Sequence, residues 1–385
     1  MSLKSQCRGI PLRLILAGLI IMQLFFIWVV VRSRQSYFDQ KLFGADGQRV
    51  NSLTAVTYSD TLTEQVVTSK SIVKKTTKKP VIIDMVNDYQ PFVDFRFVFP
   101  HIIPTIKGSR DFFLIILVNS AAKGKEYRER RDNIRRTWGS LNGCCEQMKA
   151  MNNSKIKNLK WKLVFVLGKA GPGTDDDKLN AEEAKRYNDI LIGDIDDNYL
   201  NNIIKVYMGQ LWASTFTAKF TLKADDDVYV RIPGIIEYLV SENITDNFYG
   251  GETYPTTGVA RWAGGKWSIS KKYFPEDVWP PFNAGAFYIL STNLLERLFN
   301  YIHIRKPFHT DDAYVGVAMR DLKVNVTHIL SFDIKNDMAQ LIRKKNNCEI
   351  LALIAFGHSI DPESSKILHN KLESMCSRNI TKTSC

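Results

Sequence analysis

"TLKADDDVYV", residues 221–230, decides how this chain is read. The apolar side chains Phe220, Leu222 and Ala224 alternate up to it, and three carboxylates, Asp225, Asp226 and Asp227, then stand in a row. Adjacent like charges repel, so such a triplet at a strand end requires a compensating partner. A hard divalent cation with oxygen ligands is one such partner; a salt-bridged surface turn is the structural alternative. A calcium loop of the EF-hand type fails on spacing. Counted from Asp225, Tyr229 stands at the fifth position and Ile236 at the twelfth, and the central glycine is missing.

Outward from the triplet, strand-like and helix-like segments alternate. "DFFLIILVNS" (111–120) and "KLVFVLG" (162–168) are apolar runs of buried-strand length, and "DILIGDI" reads as a third strand. "KEYRERRDNIRRTWG" and "NAEEAKRYN" carry charges at helical spacing. "YLNNIIKVYMGQLWASTF" (199–216) places Leu200, Ile203, Ile204, Tyr207 and Leu211 on one helical face. This alternation predicts an α/β fold with parallel strands and helices on both faces. Ligands of such sheets gather beyond the carboxyl ends of the strands, where the triplet lies. Farther along, Thr310 reads as an N-cap with Asp311 and Asp312 opening a helix, where both acids also complement the helix dipole.

With 385 residues, 45% hydrophobic and 11% aromatic, the chain has material for a substantial core. Its net charge of +12 invites a nucleic-acid reading, but the N-terminus argues against one. "LILAGLIIMQLFFIWVVV" (14–31) has Gln23 as its only strongly polar side chain and no small-residue cleavage site. It predicts an uncleaved transmembrane signal anchor over 12–31 behind a short tail, 1–11. Lys4, Arg8 and Arg13 before it and Arg32 and Arg34 after it leave orientation undecided. Residues 32–90 are rich in Ser, Thr, Lys and Gln without apolar period and read as a stem, with Lys74, Lys75, Lys78 and Lys79 a solvated cluster. The folded body is 91–385. Asn152, Asn243, Asn325 and Asn379 head glycosylation sequons, all beyond the anchor. Five of the six cysteines also lie there, allowing two bridges and one cysteine over in an oxidising compartment, and Cys348 with Cys376 is the expected pair.

Five motifs then occur in order between residues 131 and 363. They are Arg131-Asp-Asn-Ile-Arg135-Arg-Thr137-Trp138; "KVYMGQLWA" with Lys205, Gly209 and Trp212; "KWSISKKYFPEDVWPPFNAGAFYILS" (266–291); "TDDAYVGVAMRDL"; and "FGHSIDPE" (356–363). From about residue 91 onward the chain resembles the Golgi β-1,3-galactosyltransferases and β-1,3-N-acetylglucosaminyltransferases of glycosyltransferase family 31. The resemblance implies a GT-A-like fold, a Rossmann-like nucleotide-binding sheet merged with an acceptor-binding half. It implies a single-pass type II Golgi membrane protein with a lumenal catalytic domain, and no nucleic-acid partner. The donor would be a UDP-sugar, UDP-galactose foremost with UDP-GlcNAc and UDP-GalNAc as alternatives, and the acceptor a glycan on protein or lipid. Mn²⁺ would be the cofactor, and a homodimer stays open.

On that template Asp225 and Asp227 match metal and nucleotide contacts, with Asp227 the direct metal ligand and Asp226 the variable middle position of the nucleotide site. His358 would be a further ligand, with His328 as its substitute. Asp312 would be the general base, since inverting transfer requires one base and no nucleophile. Arg131, Arg135 and Lys205 would attend the nucleotide, Arg135 nearest the phosphates because guanidinium suits them. The structural alternative is a basic helix face paired to acids such as Glu129. Trp138 reads as core. Trp262 and Trp267 stand in "VARWAGGKWS", where aromatic faces stack on sugars, and Trp267 matches the family loop. Asn283 in "PPFNAG" stands where many relatives carry Cys, and Asp311 and Ala313 replace the usual Glu and Val. Two rivals remain: a silent chaperone or lectin-like relative, which should lack Asp227 or Asp312, and a calcium-stabilised adhesion module, which should be mostly β.

Overall fold

Strand β1 (Asp111–Asn119) forms at the first of the apolar runs and is buried on both faces from Phe113 onward. It belongs to a computed structural model that describes residues 93–381, apart from 141–144, 146–148, 150–151, 263–264 and 336. The tail, anchor and stem expected over 1–90 lie outside the described residues. Among the described residues no helix is long and apolar enough to cross a membrane.

Helix α1 (Lys125–Arg136) follows β1, then β2 (Trp161–Lys169), α2 (Asp176–Tyr187), β3 (Ile190–Asp196), α3 (Asn202–Ala213) and β4 (Thr217–Asp225). The strands align in the order β4-β1-β2-β3, all parallel, as the alternation predicts. The chain continues through β5 (Tyr229–Val230), α4 (Ile232–Ser241), β6 (Tyr249–Tyr254), the two-residue strands β7 (Thr257–Gly258) and β8 (Val278–Trp279), and β9 (Phe282–Ser291). Here the parallel expectation fails. Among the described residues no crossover helix separates β6 from β9, and β9 returns antiparallel to β6 and also lies antiparallel to β4. Helices α5 (Leu295–Tyr301) and α6 (Asp311–Asp321) lead to β10 (Val326–His328), which completes a seven-stranded mixed sheet, β10-β6-β9-β4-β1-β2-β3. A three-stranded sheet of β11 (Phe332–Ile334), β12 (Ala355–Gly357) and β5 stands beside it. Helices α7 (Met338–Lys344), α8 (Asn347–Ala352) and α9 (Pro362–Ser377) complete the chain.

Period-two alternation separates two cores. Leu114, Ile116 and Val118 face one layer with Ile134 of α1 and Leu368 of α9, while Ile115 and Leu117 face the other with Ile203 and Tyr207 of α3. On β4, Phe220, Leu222 and Ala224 belong to the first core. Thr221 and Lys223 therefore face the α3 and α6 layer, where both are buried. Trp138 is buried and donates its indole N–H to Val228 O at 3.1 Å, the core role expected of it.

The expected Cys348–Cys376 pairing is corrected. Cys376 of α9 is bonded to Cys145, with Cα atoms 6.0 Å apart, because α9 packs against the segment that follows α1. Cys348 is itself disulfide-bonded.

Helix α6 rests on β9 through Gly316, where an added Cβ would stand 2.2 Å from Phe282 Cβ. Gly316→Ala is expected to destabilise the protein by about 1–3 kcal/mol through overpacking, measured by denaturant unfolding.

Candidate active site

Strand β4 ends at Asp225, directly beside Asn119 at the end of β1, and the three carboxylates turn in three directions. Asp226 turns inward. Its Oδ2 accepts from Ser120 Oγ at 2.6 Å and its Oδ1 from Arg130 Nη1 at 3.0 Å. Burial pushes its carboxyl up, and those two donors oppose the shift. Both oxygens are thus engaged with the protein.

Asp227 faces the chain's last third. Its main-chain oxygen accepts from Ile360 N at 2.9 Å and its Oδ2 from Ser359 N at 3.2 Å. Ser359 Oγ in turn lies 3.2 Å from His358 Nδ1. This loop is anchored on its far side by Asp361, which caps α9 by accepting from Ser364 N at 2.8 Å. His358 and Asp227, far apart in sequence, are thereby neighbours. His328 is not: it sits on edge strand β10 and accepts from Thr253 N at 3.1 Å.

Asp225 remains partly open, with its side chain 38% exposed. Desolvation in the cleft raises its pKa to about 7, Asp227 and Asp311 add to the shift, and Lys223 opposes it. The Lys223 ammonium is 2.6 Å from Asp225 Oδ1 and also donates to Gly285 O. Burial would lower its pKa, but Asp225, Asp311 and Asp312 together raise it and keep it charged.

Helix α6 supplies the opposite wall. Asp312 Oδ2 accepts from Gly285 N at 3.0 Å and Oδ1 from Ala313 N at 2.8 Å. Gly285 lies close under Asp312: an added Cβ would stand 3.1 Å from Asp312 Oδ2, a tight contact. Burial raises the Asp312 pKa to about 6, with Asp311 adding and the two N–H donors and Lys223 opposing. Asp311 is buried; its Oδ1 accepts from Asn202 Nδ2 at 2.8 Å and its Oδ2 has no partner among the described residues. Thr310 occupies the N-cap position, but its hydroxyl makes no capping bond.

Aromatic side chains line the mouth. Trp267 is 59% exposed and, with Tyr199, flanks the Lys266 ammonium, which lies 5.7 Å and 4.6 Å from the two rings. Burial raises the Tyr199 hydroxyl, with Asp311, Asp312 and Asp225 adding to the shift. Trp262 is also exposed.

Two of the basic residues expected at the nucleotide are engaged within the protein. Arg131 is fully buried: it donates to Glu183 at 2.6 Å, Asn180 at 2.9 Å and Ser120 at 3.0 Å, so it has no atom open to a phosphate. Arg135 lies toward the amino ends of the strands, paired with Asp189 at 2.8 Å and Glu183 at 2.7 Å and set over the Tyr187 ring at 4.1 Å. Helix α1 returns antiparallel to β1, so each turn retreats from the triplet. Glu129 pairs instead with Lys125, at 3.1 Å. Lys205 is committed to Asp197 at 2.8 Å and Ser120 O at 3.1 Å, beneath the rim. The arginine that does reach the triplet is Arg130, 30% exposed at its side chain. Nothing in the sequence singles it out, because neighbouring helical positions differ by about 100° around the axis. The sequon residues Asn152, Asn243, Asn325 and Asn379 are all exposed.

Among the described residues no three carboxylate, imidazole or thiolate groups are gathered closely enough to hold a metal ion alone. Asp227, Asp225 and His358 do not form such a group by themselves, so a hard cation held there would need further oxygen ligands from outside the chain.

A model of the galactosyltransferase family matches residues 129–330, more than half of the chain. The chain belongs to that family. Over 223 residues it is 30% identical to the lactosylceramide 1,3-N-acetyl-β-D-glucosaminyltransferase of Homo sapiens, covering 56% of each chain. Over 267 residues it is 27% identical to β-1,3-galactosyltransferase 1 of Mus musculus, covering 68% of this chain and 74% of that one. The chain thus spans little more than half the length of the first of these relatives. Among solved structures, a glycosyltransferase involved in the glycosylation of the major capsid of PBCV-1 aligns with 66% of this chain and 98% of its own, at 12% identity and a TM-score of 0.32.

The two neighbouring arginines should separate cleanly on mutation. Arg131→Met leaves Glu183 buried without its strongest partner and is expected to cost about 3–5 kcal/mol. Arg130→Met leaves the buried Asp226 with Ser120 as its remaining donor and is expected to cost less, about 1–3 kcal/mol. Urea unfolding of the two variants makes the comparison.

Proposed function

We propose that this chain is an inverting β-1,3-glycosyltransferase of GT-A-like fold that moves a sugar from a UDP-sugar to the 3-hydroxyl of an acceptor glycan on protein or lipid. One observation supports the reading: Asp312 at the start of α6 and Asp225 at the end of β4 are linked through the Lys223 ammonium and the backbone of Gly285, with Asp227 two residues from Asp225. UDP-galactose is the preferred donor. UDP-GlcNAc is the alternative, favoured by the name of the human relative. The exposed sequons and the Cys145–Cys376 disulfide support a body in an oxidising lumen, as in a type II Golgi enzyme held by the anchor at 12–31.

Asp227, Asp225 and His358 would hold Mn²⁺. When bound, the ion supplies Lewis-acid neutralisation of the diphosphate charge. Tyr199, Lys266 and Trp267 at the mouth present ring faces and an ammonium to sugar hydroxyls. Asp312 accepts the proton of the acceptor 3-hydroxyl at its carboxylate. The hydroxyl oxygen then bonds to the anomeric carbon on the face opposite the departing UDP, which inverts the configuration. The amides of Gly285 and Ala313 keep the Asp312 carboxylate oriented during this transfer.

A screen of radiolabelled UDP-sugars with Mn²⁺ and glycan acceptors tests the reading. Transfer from a single donor, abolished by EDTA, is expected. Asp312→Asn should lower kcat by about 100-fold or more while UDP still binds, and wild-type kcat in that variant would reject the base. Asp227→Ala should lose manganese-dependent UDP binding. Since Asp312 has to be ionised to accept a proton and its pKa is raised to about 6, kcat/KM should fall as pH drops through about 6. The slope should approach tenfold per pH unit, read from a pH–rate profile.

A further inference from the structure

Lys223 is the buried charge that the proposed reaction leaves unused. Its side chain is 2% exposed, on the β4 face that looks toward α6, and it lies between the two halves of the cleft. On one side its ammonium is 2.6 Å from Asp225 Oδ1. On the other it donates to the carbonyl of Gly285, whose own N–H donates to Asp312 Oδ2 at 3.0 Å. The connection runs Asp225, Lys223, the backbone of Gly285, Asp312. It crosses the antiparallel β4–β9 pair, in which Lys223 stands opposite Tyr288.

We infer that Lys223 is a positioning residue, whose ammonium sets the separation and orientation of the donor-side carboxylate Asp225 and the acceptor-side carboxylate Asp312. The geometry leaves this task to no other cation at that spot. Arg130 is engaged with Asp226, and Lys205 with Asp197. Three carboxylates, Asp225, Asp311 and Asp312, act on the Lys223 ammonium, and none of them has another lysine or arginine as a direct partner among the described hydrogen bonds. A neutral side chain here would leave the Gly285 carbonyl without its donor and let the start of β9 shift. The carboxylates would then separate by mutual repulsion. Displacements of about 1 Å at a reacting group cost about 100-fold in rate.

The inference rests on the proposed function for its kinetic consequence, but not for its structural one. In the full-length chain, Lys223→Met is expected to lower kcat about 100-fold with the donor KM within about threefold. Lys223→Arg, which keeps charge and donors, should stay within about tenfold of wild type. Hydrogen exchange of the Gly285 and Ala313 amides, both bonded to Asp312, should accelerate in Lys223→Met. They should not do so in the control Lys219→Met, which alters an exposed lysine of the same strand. If Lys223→Met does not fold, Lys223→Gln is read by the same exchange criterion. Unchanged exchange at these amides, wild-type kcat in Lys223→Met, or a loss expressed in KM alone would each overturn the inference. Exchange needs no substrate. A chain inactive with every UDP-sugar would therefore refute the proposed function, while the exchange result still decides the role of Lys223.

Discussion

Five carboxylates, Asp225, Asp226, Asp227, Asp311 and Asp312, converge on the carboxyl edge of one sheet, and their mutual repulsion is the constraint around which the cleft is arranged. Each is treated differently. Asp226 is neutralised by Arg130 and Ser120, Asp227 is bonded to the main chain of the loop carrying His358, and Asp312 is held by two backbone amides. Asp225 shares Lys223 and stays partly open. The charge that remains uncompensated is therefore concentrated at the cleft rather than spread over the rim.

Beneath the rim lies a second ionic layer, joined to the triplet through Ser120. Arg131 and Arg135 share Glu183, Arg135 also holds Asp189, and Lys205 holds Asp197. Buried pairs of this kind add little net stability, since desolvation offsets their attraction. Their geometry matters more here. Glu183 ties α2 to α1, and Asp197 accepts the amides of Ala122 and Gly168 at the ends of β1 and β2. The strand ends that carry Ser120 and Asp225 are thus held in register from below.

Much of the parallel half was legible because its signals are local. The apolar runs of β1, β2 and β3 and the one-faced pattern of α3 follow from residues adjacent in the chain, and the structure forms them where the runs occur. The antiparallel return of β9 was not legible. Nothing within "PPFNAGAFYILS" specifies whether its partner is approached from a helix or from a loop. Cysteine pairing was illegible for a related reason: Cys145 meets Cys376 only because α9 packs beside the chain that leaves α1.

The same division runs through the candidate site. The sequence by itself determined that carboxylates collect at a strand end, that a second acidic pair opens a helix, and that a histidine near the end of the chain stands in a recognisable motif. Residue type and short spacing contain that information. Only the tertiary structure decided which charge faces which. Arg130 rather than Arg131 or Arg135 reaches the triplet, because the acids that claim the other two, Glu183 and Asp189, come from α2 and the start of β3. Lys223 became a bridge between two carboxylates only when β9 was laid against β4, and Asp312 gained its amide donor from Gly285 by the same pairing. Electrostatic roles depend on distances across space, and those distances exist only once the strands have paired.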